Sequence, residues 1–265
     1  MRWSRVVWML VLSLPAQAEE LTLRVMARAS QTQAYFHQLL VAAMAQAGTT
    51  VHLKEAPDMP NARVELLLAQ GQLDVHWFLR TASRDQRFLR VDQGLTDGMI
   101  GWRILMVPPG EAASYARLRT LADLKRSGKV AAMGHGWADA GIWQQNGLPA
   151  IQQRLPIADL YRLVANGNRG MHYFPRGSIE VGLEQPHHAG LVAAPGVVLV
   201  YPQDFYFYLP TAKPELRARL QHALQLAEQS GLRQRLFRQH YGAALAELAL
   251  DKRVPIRLAL RPGKD

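Results

Sequence analysis

The stretch Leu21-Thr22-Leu23-Arg24-Val25-Met26 alternates apolar and polar positions. That period of two predicts a strand with one buried face. The period then changes: Phe36, Leu39, Leu40, Ala43, Met44 and Ala47 recur at helical spacing, with Ser30 and Thr32 available as caps and Gly48 as the stop. Thr50 to Leu53 reads as a second short strand. Asn61 is placed to cap a helix bearing Val64, Leu67 and Leu68, which Gly71 ends, and Leu73 to Phe78 reads as a third strand. This β-α-β-α-β order predicts a parallel sheet with helices on its faces.

The pattern then restarts. Ile100 to Val107 predicts a strand stopped by Pro108-Pro109-Gly110, a candidate lobe boundary. Thr120 and Asp123 form a capping-box signature before a short helix. Strands are predicted at Lys129 to Met133 and Met171 to Phe174. Between them fall the turn Gly134-His135-Gly136-Trp137, a helix from Asp139 to Gln145, and a helix opened by Pro156. Val197–Val200 and Phe205–Leu209 read as strands flanking Tyr201-Pro202. Pro214 opens a helix that Gly231 breaks, and a second amphipathic helix follows. Arg253 to Leu260 is a basic, strand-like tail. Two such series predict an α/β chain of two lobes. Open α/β sheets take ligands beyond the carboxyl ends of their strands, so two facing ends make a cleft.

Composition narrows the setting. Arg2 and Arg5 precede an apolar run from Val6 to Leu14, and Pro15-Ala16-Gln17-Ala18 supplies small residues at a cleavage site. This predicts a signal peptide over 1–18, too short in its apolar core for a comfortable membrane span. There is no cysteine among the 265 residues, which excludes disulfides, thiolate catalysis and thiolate metal sites. An exported chain without cysteine suits a periplasm. The formal charge of +10 is carried by scattered arginines, with no basic run interleaved with aromatics, so no nucleic-acid partner is expected.

Several stretches resemble one family. Leu73-Asp74-Val75, Thr81-Ala82-Ser83-Arg84, Gly94-Leu95 and Gly101-Trp102-Arg103 resemble the strand, the T-x-x-R segment and the hinge approach of extracellular solute-binding protein family 3. Gly136-Trp137-Ala138-Asp139, Asn146-Gly147-Leu148 and Tyr173 to Glu180 resemble a divergent branch of it. The resemblance spans nearly the whole mature chain. It implies a two-lobed, periplasmic binding protein type II-like fold with two crossovers and a ligand cleft between the lobes. The expected division is lobe 1 over 19–106 plus 203–250, lobe 2 over 107–202, and a tail over 251–265.

The resemblance also implies that Arg84 grips a ligand carboxylate, a task suited to the guanidinium fork, with Thr81 adding a hydroxyl. Arg87 fills the same role under a small register shift. Backbone amides around His135 are placed to form an anion site before a helix. Asp139 stands where a dinucleotide fingerprint needs its third glycine, and no cofactor motif is present. Trp77 and Trp137 are candidates for ligand-facing rings or for core. Arg176 departs from the family: amino-acid binders carry acidic residues on this strand, whereas this chain has His172 and then Arg176-Gly177. Two roles stay open for Arg176: binding an anionic or amine-free ligand, or pairing with Glu180 or Glu184. Gly177-Ser178 is no nucleophile elbow, His187-His188 is a weak metal signal, and no H-E-x-x-H occurs, so neither catalytic nor metal-binding residues are assigned.

The expected function is capture of a small polar solute, anionic or amino-acid-like, by a monomer serving an inner-membrane ABC permease. Two alternatives keep the scaffold: a periplasmic sensor or accessory protein, and a periplasmic enzyme.

Overall fold

The computed structural model describes residues 19–27, 31–167, 170–184 and 190–260, with the side chains of 31–33 left undescribed. The predicted signal segment, Ser30 and His187-His188 lie outside the described residues, as does the side chain of Thr32.

The first series folds as β1 (Glu19–Met26), α1 (Gln31–Gln46), β2 (Thr49–Ala56), α2 (Asn61–Ala69), β3 (His76–Leu79), α3 (Ala82–Arg87) and β4 (Leu89–Arg90). β1 and β2 run parallel, with Leu21 opposite Val51 and Leu23 opposite Leu53. The Asp74 amide donates to Arg24 O at 2.8 Å, carrying the sheet on toward β3. The buried Asp74 carboxylate accepts from the Arg24 side chain (2.6 and 3.1 Å) and pairs with Lys213, so it ties three segments together. Asn61 is the first residue of α2, and Pro60 stands at the cap position without a side-chain bond; the cap therefore lies one residue before the predicted Asn61.

The second series contains β5 (Trp102–Val107), α4 (Ala112–Tyr115), α5 (Leu121–Arg126), β6 (Ala131–Gly134), α6 (Ala138–Gln145), β7 (Ala150–Gln153) and α7 (Ile157–Ala165). It continues through β8 (Phe174–Gly177), α8 (Ser178–Val181), β9 (Val192–Ala193) and β10 (Val197–Val200). The chain then returns through β11 (Phe205–Leu209), α9 (Pro214–Gln229) and α10 (Leu232–Leu248), and ends in β12 (Val254–Arg257). The Thr120–Asp123 capping box forms in both directions.

Two apolar cores on each side mark the lobes. In lobe 1, α1, α9 and α10 pack Tyr35, Phe36, Leu224 and Phe237 against Trp77 and Phe207, and a second cluster gathers Met26, Leu68, Phe78 and Tyr208. In lobe 2, one cluster joins Leu105, Trp143, Tyr173 and Tyr201, and the other joins Ile104, Tyr161, Phe174 and Val198. The sheets follow the same division: β3-β11-β4 in lobe 1 and β12-β10-β5-β8 in lobe 2.

Two expected boundaries shift. β5 pairs with β8, β9 and β10, so the first crossing lies near Gly101 and not at the Pro108-Pro109 stop. Buried Ile104 to Val107 face lobe 2 cores, which explains the shift. Residues 254–258, expected as a tail, run parallel to β10 and bury Ile256 and Leu258 in lobe 2. The chain therefore crosses between lobes three times, near 101, near 201–204 and near 249–253. At the first two crossings the backbones touch: Tyr201 N donates to Gly101 O at 3.2 Å, and a Cβ on Gly101 would collide with Tyr201 O. Asp204 fastens this region by accepting from Thr96 N (2.9 Å), Gly98 N (3.0 Å) and Phe205 N (2.7 Å).

Candidate functional site

A cavity of about 250 Å³ lies between the lobes. Lobe 1 lines it with Met26, Asn61, the whole of β3, Arg84 and Phe205, and lobe 2 lines it with Gly136 to Asp139, Ile157, Arg176 and Glu180. Ile100 and Arg103 line it where the chain crosses. These residues come from strand ends and helix starts, as expected of an α/β cleft.

On the lobe 1 wall, α3 begins directly after β3 and turns Arg84 back toward it. The guanidinium lies over the Phe78 ring, 4.5 Å from its centroid. Its Nε and Nη2 donate to Glu65 (3.1 and 3.0 Å) and its Nη1 donates to Leu79 O at 2.8 Å. These contacts engage three of the five guanidinium N–H groups and fix the plane of the fork. Thr81 sits at the N-cap of α3, where its hydroxyl accepts from Arg84 N at 3.2 Å. Thr81 does not line the cavity; it starts the helix that carries Arg84. Arg87 pairs with Glu65 at 2.6 Å and is also absent from the lining. The Trp77 ring stacks on Phe36, centroids 4.7 Å apart, while an edge of the residue reaches the cavity.

The lobe 2 wall is a buried ionic network. Arg103 donates to Tyr201 Oη at 2.5 Å, pairs with Asp139 at 2.7 Å and approaches Glu180 at 3.3 Å. The Tyr201 hydroxyl also donates to Asp139. Arg176 donates from Nε to Glu184 at 2.8 Å, makes a second, short bond to the other Glu184 oxygen, and lies 3.2 Å from Glu180. Tyr161 donates to Glu184 at 2.9 Å. Both roles considered for Arg176 meet here: it reaches the cavity, but its guanidinium is committed to two carboxylates. Its ring contacts, 5.0 Å to Trp137 and 5.2 Å to Phe174, complete its surroundings. Burial works against the charge of Arg103 and Arg176, yet the adjacent carboxylates outweigh it and hold both guanidinium pKa values above the usual range. Burial raises the Glu180 pKa; Arg176 opposes that rise and Glu184 adds to it.

Trp137 stands at the N-cap of α6, its ring stacked on Phe174 at 5.8 Å. A Cβ on Gly134 would strike the Trp137 indole, so the glycine is what admits the ring. His135 is exposed, contacts Arg154 at 2.8 Å and does not line the cavity. The expected anion nest is already filled: the amides of His135, Gly136 and Trp137 donate to Gln153 O (2.9 Å), Gln152 Oε1 (3.0 Å) and Gly134 O (3.3 Å).

Trp77, Arg84, Trp137 and Arg176 are thus brought together, whereas Thr81 and His135 are not. Sequence patterns passed over His76, Arg103 and Asp139 as cleft residues. Asp139 and Arg103 stand inside the Gly-Trp-x-Asp and Gly-Trp-Arg stretches, which was the available signal. A histidine in an apolar strand carries none. Among the described residues no cluster suited to a metal ion occurs, and no helix is long and apolar enough to cross a membrane.

No protein-family model matches the chain, and no curated protein matches it in sequence. Solved structures do match its fold. The probable amino-acid ABC transporter extracellular-binding protein YtmK from Bacillus subtilis aligns with a TM-score of 0.63 at 13% identity, covering 85% of this chain and 98% of that one. The amino acid ABC transporter substrate-binding protein AbpA from Streptococcus pneumoniae, bound to L-arginine, gives 0.59 at 15% identity, covering 85% and 96%. The ancestral amino acid-binding protein AncCDT-1, a precursor of cyclohexadienyl dehydratase, gives 0.60 at 14% identity, covering 84% and 95%. The chain has the two-lobed α/β fold of these substrate-binding proteins.

Proposed function

We propose that this chain is an exported, periplasmic solute-binding protein that closes on a small, amino-acid-like solute and delivers it to an ABC importer. The observation that carries this reading is the polarity of the cavity between the lobes. Arg84 stands on one wall. On the other, Arg103 and Arg176 line the cavity beside Asp139 and Glu180, and Arg176 also pairs with Glu184 outside the lining, so that wall presents both signs of charge. A zwitterion fits such a site, with its carboxylate toward Arg84 and its ammonium toward Glu180. The pairing of Arg176 with Glu184 favours an amine-bearing solute over the anionic, amine-free one that an unpaired Arg176 would suit. The volume of about 250 Å³ lies just below the range typical of drug-sized ligands and suits a metabolite. The basic, apolar N-terminal segment supports export, and the folds of AbpA and YtmK support the importer.

Thermal unfolding across L-amino acids, amine-free carboxylates and carboxylate-free amines tests it. The expected result is a rise of several degrees in Tm with one or more amino acids, lost in Arg84→Ala. Stabilisation by amine-free dicarboxylates alone, or by no compound at all, overturns it.

A further inference from the structure

The buried network on the lobe 2 wall is not fully paired. Arg176 spends Nε on Glu184 and Nη2 on Glu184 and Glu180, while its Nη1 makes no hydrogen bond among the described residues. Asp139 takes both Arg103 and Tyr201 on Oδ1, which leaves its Oδ2 without a hydrogen bond among the same residues. The Arg176 and Asp139 side chains are only 4% and 7% exposed, yet both residues line the cavity and neither free atom is sealed from solvent. A solute in the cavity therefore meets a buried donor and a buried acceptor that lack partners. One segment places both: Asp139 is the second residue of α6, and the Trp137 ring at its N-cap lies 5.0 Å from the Arg176 guanidinium. Buried polar atoms left unpaired are costly, so a guest that supplies the missing partners is selected over one that does not.

Charge narrows the guest. A carboxylate suits Arg176 Nη1 but is repelled by the negative Asp139 Oδ2. An ammonium suits Oδ2 but is repelled by the guanidinium. A neutral group with one acceptor and one donor satisfies both atoms, and a primary amide has that pattern in its carbonyl oxygen and its NH2.

We infer that the side chain of the solute ends in a carboxamide, whose carbonyl oxygen accepts from Arg176 Nη1 and whose NH2 donates to Asp139 Oδ2. The protein then selects asparagine- or glutamine-type amino acids over the matching acids. The inference rests on the solute-binding reading above and names the side chain which that reading leaves open.

Calorimetry with matched probes tests it: L-asparagine against L-aspartate and L-leucine, and L-glutamine against L-glutamate and L-methionine. Wild type is expected to bind at least one amide about tenfold or more tightly than both its acid and its apolar analogue. Asp139→Asn keeps an oxygen for Tyr201 and Arg103 but turns Oδ2 into a donor; it is expected to bind the amide about tenfold more weakly and the acid more tightly than wild type does. Arg176→Lys keeps a cation for Glu184 but removes Nη1, and is expected to lose the preference for the amide. Amide-nitrogen-15-labelled L-asparagine and L-glutamine report on the contact itself, and the NH2 protons of the preferred one are expected to exchange with water more slowly in the complex than free. Binding of the acid or the apolar analogue as tightly as the amide by wild type, or NH2 protons exchanging at the free rate in a saturated complex, overturns the carboxamide while leaving solute binding intact. Full amide preference in folded Asp139→Asn or Arg176→Lys overturns the role of that residue. The wild-type comparison and the exchange measurement need no variant, so they decide the matter if either substitution fails to fold. Failure of every amino acid on wild type removes both readings.

Discussion

Burial keeps the imidazole of His76 neutral, which makes a prediction about the protein alone. His76 has a pKa of about 3 in the fold and near 6.5 in an unfolded chain. Above pH 6.5 both states hold a neutral ring, and its contribution to stability is fully present. Below that, only the unfolded chain takes up the proton, so stability falls as pH drops toward 3. The slope from this residue is at most about 1.4 kcal/mol per pH unit. His76→Phe should flatten that limb, as urea denaturation of both proteins at pH 7, 6 and 5 will show. Arg84 and His76 mark what a chain reveals of its own site. Arg84 stands in a T-x-x-R stretch and could be singled out by position. His76 becomes distinctive only through what it lacks among the described residues, a partner for Nδ1, and that is a fact about space.

Among the elements, β8 and α8 show how local sequence and tertiary demand share control. Tyr173-Phe174-Pro175 reads as a strand ending at a proline, yet β8 runs on through Arg176 to Gly177, pairing Arg176 with Ile104 and Gly177 with Arg103. The strand continues because Arg176 is drawn inward by Glu180 and Glu184, carboxylates on and just beyond the short α8 that follows. Glu184→Ala should destabilise the protein by about 3 kcal/mol, the lower end for a broken buried pair, because Glu180 remains within 3.2 Å of Arg176. Replacing both partners, as Arg176→Met with Glu184→Leu, should return much of that loss in chemical denaturation. Helices with strong punctuation were legible to the residue: α9 starts at Pro214, and the α5 box closes on Thr120. The start of β5 was not. Ile100 and Gly101 look like strand but form a tight turn at the lobe crossing, a position dictated by Tyr201 and Gln203 behind it.

Across the whole molecule, the two-lobed plan could be read from two α/β series, but the third crossing could not. β12 is a short, proline-containing strand, and its partner β10 lies far away in the chain. Arg253 braces the return by donating to Leu248 O (2.7 Å) and Ala194 O (2.6 Å), one residue from each side of the crossing. Asn146 seals the end, giving a bond to Ala259 O and accepting one from Ala259 N, both at 2.8 Å. Asn146→Ala should remove about 2 kcal/mol and leave two backbone groups of the strap without partners. Limited proteolysis should then cut at Arg253 and Arg257 in the variant well before it cuts the wild type.

The strap also has a consequence for the order of events as the chain emerges from a ribosome. Lobe 1 needs α9 and α10 to cover α1, and lobe 2 needs Ile256 and Leu258 to complete its core. Neither unit can therefore mature vectorially, one after the other. Their early halves must stay loosely collapsed, and open to chaperones, until residues near 258 arrive, after which both cores close nearly together.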